Sequence, residues 1–444
     1  MDRLLFHGKG ILPTKRFLYI FVIWSFIVLL LSIANVRLLT IVILNIVVIF
    51  GSLVDLFFIP KRKNIVFTRE LNNDFERDKA YDVRIHVENK SQQNLQFTIV
   101  DDLPQSFETD STISGKVPGS EKETFTYQVK APVRGDYTLE VLHVRYTSSL
   151  GLWAKQLTVP ARKNVKVIPD LTEVRAYLQD AQRFLVHEGS KVKRDQVGTG
   201  EFASIRSYVI GDDPRLINWH QTAKLQEVMT NVYEPEQGKH ITILIDCGRM
   251  MGVELKEGNR LERSLEAALT VAAAALQRGD YVAVLAFSKE VHTYIPPNKG
   301  IEHLQTILHE IYNLQVQPVE SNYQEAFFYL ENMLSKRSLL FLFSDVQTFL
   351  YNDYLLSQLV RIRKRHLFFL IGIEDEILLE RVKERPDEIE RAMIKSMAQY
   401  QLLSKRRDKN RWEQRGLQLV EAEEENVTAT AVSYYIDLMN RGLL

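Results

Sequence analysis

Two apolar runs near the N-terminus limit what this chain can become. Phe17 to Ala34 carries no charge, with Ser25 and Ser32 its polar interruptions, and Leu38 to Ile59 follows, ending at Pro60. Each is long enough to cross a hydrocarbon core of about 30 Å at about 1.5 Å per helical residue. A buried core helix or a signal peptide explains one such run. Two in succession, with no small-residue cleavage site between them and a basic cluster after the second, read as retained membrane-spanning helices. The short Asn35–Arg37 connection makes them an antiparallel hairpin over 17–60. Asn45, mid-span, needs a partner for its amide and is expected to face the first helix. Asp55, near the end of the second span, is expected to reach the interface. Lys9, Lys15 and Arg16 precede the hairpin and Lys61, Arg62 and Lys63 follow it, against Arg37 alone in the loop. The positive-inside rule therefore puts the N-terminal segment, 1–16, and everything after the hairpin in the cytoplasm.

At 444 residues the chain exceeds one ordinary core, so several domains are expected. Lysine plus arginine and aspartate plus glutamate number 56 each. Without net charge there is no global field to draw in nucleic acid, and none is expected as a partner. Cys247 is the single cysteine, which excludes an intramolecular disulfide.

Over 64–170 the pattern has a period of two. Tyr81 to Glu88 alternates apolar and polar residues, as do the runs containing Leu95, Phe97 and Ile99 and containing Phe125, Tyr127 and Val129. Such alternation marks strands with one face on a core and one in water. The set Tyr137, Leu139, Val141 shifts phase to Leu142, Val144, Tyr146, which a β-bulge near Val141 would produce. Short strands separated by Glu88–Ser91, Pro118–Ser120 and Arg134–Asp136 turns read as an antiparallel β-sandwich. His86 and His143 fall on polar strand positions and are expected in solvent.

From 236 to 444 the strand candidates Ile241–Asp246, Tyr281–Phe287, Leu339–Asp345 and Leu367–Ile373 are apolar without alternation, the mark of strands buried on both faces. Helical segments lie between them, the clearest with Leu261, Leu265, Leu269, Ala272 and Leu276 on one face. This order implies a doubly wound α/β domain with a mostly parallel sheet. Ligands of such sheets bind beyond the C-terminal strand ends, where Asp246 and Asp345 stand. Residues 376–414 read as a charged helical insertion, Trp412 to Val420 as leading into a last strand, and Thr428 to Arg441 as a closing amphipathic helix.

The connector 171–235 contains Gly198-Thr199-Gly200-Glu201-Phe202, then Arg206-Ser207-Tyr208, Gly211-Asp212-Asp213-Pro214-Arg215 and Asn218-Trp219-His220-Gln221-Thr222-Ala223-Lys224. This resembles the signature of the bacterial family called domain of unknown function 58, roughly G-x-E-F, L-R-x-Y, G-D-x-x-R-x-I-D-W, S-A-R. Asn218, Thr222 and Lys224 replace the aspartate, serine and arginine usual there. The resemblance extends to the hairpin, to Arg134-Gly135-Asp136-Tyr137 and Gly151-Leu152-Trp153, and to Arg441-Gly442-Leu443. It implies a protein of the bacterial inner membrane with a von Willebrand A-like C-terminal domain, acting with a MoxR-type AAA+ ATPase in assembly or maturation of other proteins. Within the signature, Glu201, Arg206, Tyr208, Asp212, Arg215 and Trp219 form either an ordered connector or a recognition surface.

Domains of the von Willebrand A type can hold magnesium through D-x-S-x-S, a threonine and an aspartate, oxygen ligands suited to that ion. Here the first element reads Asp246-Cys247-Gly248-Arg249-Met250, which lacks both hydroxyls, and a thioether is a poor magnesium ligand. Asp246, Ser321 and Asp345 remain as a degenerate set, so no cofactor is expected beyond a weakly held magnesium ion. No P-loop, H-E-x-x-H or G-x-S-x-G occurs. Cys247 has no histidine placed beside it by a motif, and His220 has no evident nucleophile to activate. The favoured expectation is a non-catalytic, membrane-anchored binding or scaffold protein. The alternatives are a metal-dependent hydrolase using Asp246 and Asp345 and an extracytoplasmic adhesin.

Overall fold

The computed structural model describes residues 10–34, 36–109, 112–148, 150–188, 201–234, 238–350 and 353–441. The chain divides into two compact units, Met1–Asp170 and Leu171–Leu444.

In the first unit, among the described residues, α1 (Lys15–Ile33) and α2 (Leu38–Phe57) are two helices long and apolar enough to cross a membrane. Their side chains are mostly exposed. Asn45 faces the first helix: its Oδ1 accepts from Trp24 Nε1 at 3.0 Å and its amide nitrogen donates to Ile41 O at 2.9 Å. Asp55, near the end of α2, is held by partners within the protein. It is 1% exposed and accepts hydrogen bonds from Ser148 Oγ (2.5 Å), Leu150 N (3.1 Å) and Leu152 N (3.2 Å). Trp153 Nε1 donates to Ser52 O at 2.9 Å, and Thr14 Oγ1 donates to Gly151 O at 2.6 Å. Ser148 and residues 150–153 thus fasten the adjoining ends of both helices. Buried polar groups need such partners, and here they also couple hairpin to sandwich.

The sandwich has two sheets. One runs β2 (Ile65–Glu70), β4 (Ala80–Asn89), β8 (Lys122–Lys130), β6 (Glu108–Thr109), all antiparallel. The other runs β1 (Gly10–Pro13), β10 (Trp153–Ile168), β9 (Gly135–Thr147), β5 (Leu95–Asp101), β7 (Thr112–Val117), with β3 (Asp74–Glu76) parallel to β10. Residues 10–13, assigned above to a separate N-terminal segment, are therefore an edge strand of this sheet. Alternate residues such as Val83, Ile85, Val87, Phe97, Ile99 and Val144 fill the space between the sheets. The phase shift has its origin on the facing strand: pairing passes from Pro160↔Val141 to Lys163↔Leu139, so Ala161 and Arg162 oppose Glu140 alone. His86 stays on the outer face, bonded to Glu70 and Thr124. His143, expected in solvent, is buried, because residues 142 to 144 are all covered where the shift occurs.

The second unit opens with α3 (Thr172–Glu188) and a small antiparallel ribbon, β11 (Glu201–Ser207) and β12 (Met229–Glu234), which brackets α4 (Trp219–Leu225). Its main sheet contains β13 (His240–Asp246), β16 (Tyr281–Phe287), β17 (Val291–Asn298), β18 (Ser338–Phe343), β19 (Leu367–Ile373) and β20 (Gln418–Ala422), with β14 (Glu254–Leu255) and β15 (Gly258–Asn259) forming a minor hairpin. The order is β17-β16-β13-β18-β19-β20, parallel throughout except at the edge strand β17. Pro296 and Pro297 in β17 sit where a missing N–H costs least, on an edge. The helices are α5 (Arg260–Gln277), α6 (Glu302–Ile311), α7 (Tyr323–Met333), α8 (Val346–Leu350), α9 (Asp353–Arg363), α10 (Glu376–Lys383), α11 (Ile389–Gln414) and α12 (Val427–Arg441). On one face Ile243, Val284, Phe341 and Ile371 pack with Leu265, Leu269 and Tyr435 of α5 and α12. On the other, Leu244, Leu285, Leu342 and Leu370 pack with Phe327, Phe349, Leu356 and Trp412. Burial of both faces accounts for the unbroken apolar strands. Trp412, read above as leading into a strand, instead ends helix α11 and is fully buried against Phe349, with ring centroids 5.0 Å apart.

Candidate functional site

Strands β13 and β18 are central and parallel, so Asp246 and Ser344-Asp345 emerge side by side at their C-terminal ends. Asp246 is 1% exposed. Its Oδ1 accepts from Gly248 N (2.8 Å) and Ser321 Oγ (2.5 Å), its Oδ2 from Ser344 Oγ (2.6 Å) and Tyr323 Oη (3.1 Å). Burial pushes its carboxyl up from the usual aspartate range, and the four donors only partly offset that. Tyr323 Oη also lies 2.8 Å from Ser344 Oγ, and its phenol is driven well above the ordinary value by burial and by Asp246. The hydroxyl of Ser321 and the carboxylate of Asp246 thus lie together, with the hydroxyl committed to the carboxylate.

Asp345 has other company. Its Oδ1 forms an ion pair with Arg260 Nη1, and its Oδ2 accepts from Thr348 N (2.8 Å) and Thr348 Oγ1 (2.7 Å). Arg260 enters through a local accident of the fold: the β14–β15 hairpin turns at Lys256-Glu257, Asn259 caps α5 through Glu262 N, and the first helical residue is the arginine. Gly248 has a steric reason. A Cβ there would lie 2.0 Å from Ser321 Oγ and 3.1 Å from Asp246 Oδ1, so a serine in the D-x-S position has no room while Ser321 holds its place. Met250 adds no oxygen. The donor set does not fit magnesium: one carboxylate is saturated by hydroxyls and an amide, and the other by a guanidinium and Thr348. Among the described residues no group of three or more His, Cys, Asp or Glu is arranged to hold a metal. Cys247 is buried beneath the site. At the rim Arg249 and Glu320 form an exposed pair at 3.1 Å.

The signature folds into the ribbon. Arg206 Nη2 donates to Asp212 Oδ1 at 2.7 Å, Val209 N to Asp212 Oδ2 at 3.1 Å, and Tyr208 Oη to Asp212 O at 3.2 Å. The Arg206 and Val209 hydrogen bonds hold the Asp212 carboxyl below its ordinary value. Gly211, at φ +113°, supplies the backbone shape the turn requires. The three departures from the family pattern have local roles or none. Asn218 caps α4 through Gln221 N and donates to Asn231 Oδ1 at 2.9 Å, and Thr222 Oγ1 accepts from Met229 N at 3.0 Å. Lys224 is simply exposed. Arg215 and Trp219 are also exposed, Trp219 by 70%, as are Val209, Ile210 and Leu225. Glu201 begins β11, and its side chain lies outside the described residues. Tyr323, Ser344 and Arg260 were missing from the sequence-based site; the capping Asn259 marks Arg260 as the start of α5 but does not point to Asp345.

No curated protein matches the chain. Solved structures similar to it include the ASH/PapD-like domain of human CEP192 (12% identity, 25% of this chain and 90% of that one, TM-score 0.19). A FixG-related protein from Vibrio parahaemolyticus is also similar (11%, 23% and 96%, TM-score 0.18), as is the CARDB domain of PF1109 from Pyrococcus furiosus (11%, 23% and 94%, TM-score 0.17). Residues 204–381, which carry most of the ribbon and the sheet edge, match the family described as "Protein of unknown function DUF58".

Proposed function

We propose that the protein is a membrane-anchored, non-catalytic binding or scaffold protein whose von Willebrand A-like domain engages protein partners without a metal. The observation that carries this reading is the pairing of Asp345 with Arg260, which puts a fixed cation where a metal-dependent site would need an open carboxylate. The hydrolase alternative needs a nucleophile or a metal-held water, and the groups around Asp246 are already bonded to one another. Recognition falls to the ribbon of 201–234, which exposes Ile210 and Trp219 as well as Arg206 and Arg215. Tryptophan and arginine are the side chains most often decisive at interfaces. The basic flanks of the hairpin favour the cytoplasmic side of a bacterial inner membrane, where a MoxR-type AAA+ ATPase is the partner the family resemblance suggests. Affinity capture of the full chain from solubilised membranes tests this: recovery of an AAA+ ATPase that persists in EDTA is expected. Recovery only with added magnesium, or no ATPase at all, contradicts it.

A further inference from the structure

Helix α11 carries Ile389, Met393, Met397, Tyr400 and Leu403 at spacings that place them along one face, and all five are exposed. The side of this helix that joins the domain is a different one: Ala398 and Trp412 are buried there, and Lys405 pairs with Glu421 of β20. An apolar row of this length is seldom left bare on a soluble surface. Beyond Leu403 the same line continues as the exposed Arg407 and Arg411, while just ahead of Ile389 the chain exposes Glu388 and also Asp387, the latter paired with Arg391 at 3.1 Å.

We propose that this face of α11 pairs antiparallel with the same face of a second copy, about a two-fold axis at Met397. The row is nearly symmetric about that residue. Antiparallel pairing sets Ile389 against Leu403 and Met393 against Tyr400 of the other copy, and it carries Arg407 to the level of Asp387 and Glu388. Parallel pairing would instead bring like charges together. Such a contact is isologous, so each complementary end occurs twice. Five side chains of this size offer on the order of 100 Å² each, and with the charged ends they approach the roughly 800 Å² per partner of a standard interface. An anionic bilayer would take the apolar row and the arginines but would leave Glu388 without a cation.

The test uses the full chain in detergent and in lipid nanodiscs. In sedimentation, Glu388→Arg and Arg407→Glu should each weaken the dimer about tenfold, because every reversal places two repulsive pairs across the axis. The double variant, which swaps the charges, should recover wild-type association. Independently, Met397→Cys in a Cys247→Ala background should give a copy-to-copy disulfide, whereas Gln399→Cys, off the row, should not. A chain that stays monomeric, a dimer indifferent to the single reversals, or a double variant without recovery overturns the proposal. So does protection of Met397→Cys from a water-soluble maleimide only when the nanodisc contains phosphatidylglycerol, which would assign the row to lipid.

Discussion

The guanidinium of Arg260 and the carboxylate of Asp345 form an ion pair with both side chains 7% exposed, at the edge of the sheet where ligands of parallel α/β domains bind. Removing one member of a buried pair strands the other charge. Arg260→Ala should therefore cost the second unit about 3–5 kcal/mol in urea unfolding. The combination Arg260→Met with Asp345→Leu should regain most of that loss. A loss below about 1 kcal/mol in the single variant would show the pair to be solvated.

Gly248→Ser should disturb the same site from the other side, since the new Cβ meets Ser321 Oγ. A loss of about 1–3 kcal/mol is expected from overpacking. Adding Ser321→Ala should restore part of it. Thermal unfolding of the three variants checks this, and additive effects would contradict it.

Glu424 clamps the β14–β15 hairpin to the segment ahead of α12. Burial alone would raise its carboxyl, but the amides of Lys256 and Glu257 and the Arg263 guanidinium outweigh burial and hold it below the ordinary value. A depressed carboxyl contributes stability above its unfolded value, near pH 4.5, and that contribution is lost as pH falls through the lower, folded value. Glu424→Gln should cost about 1–3 kcal/mol at pH 7, and the difference from wild type should shrink in acid. A constant difference from pH 7 down to pH 3 would refute the linkage.

Asp55 ties α2 to Ser148, Leu150 and Leu152 through three hydrogen bonds. Asp55→Ala leaves the Leu150 and Leu152 amides without that acceptor, and a loss of about 2–4 kcal/mol is expected. Trp153, bonded to Ser52, reports on this junction by fluorescence. An unchanged emission spectrum in the variant would mean that the junction does not depend on Asp55.

Trp219 is exposed, so Trp219→Ala should leave unfolding unchanged within about 0.5 kcal/mol. If the ribbon is the recognition surface, the same change should weaken capture of the ATPase at least about thirtyfold, the scale of an interface hot spot. Undiminished capture would move recognition elsewhere.

Periodicity and turn chemistry made the strands and helices legible, because local spacing reports which faces are covered. What stayed hidden depends on contacts between distant residues. Asp55 is satisfied by amides nearly a hundred positions away, and Gly10–Pro13 becomes a strand only because β10 offers an edge. Trp412 was misplaced because a bulky apolar residue at the end of a charged helix resembles the start of a strand until its contact with Phe349 is known. At the sheet edge the carboxylates were legible, as was the loss of two hydroxyls. Arg260 was not, since nothing in its neighbourhood of the chain announces Asp345.

Whether the sheet edge takes a divalent cation is decided by isothermal titration of the full chain with magnesium or manganese, beside Arg260→Ala. The wild type is expected to give no saturable heat, because the arginine already balances Asp345. Saturable binding to the wild type that disappears in Asp246→Asn and Asp345→Asn would contradict the account.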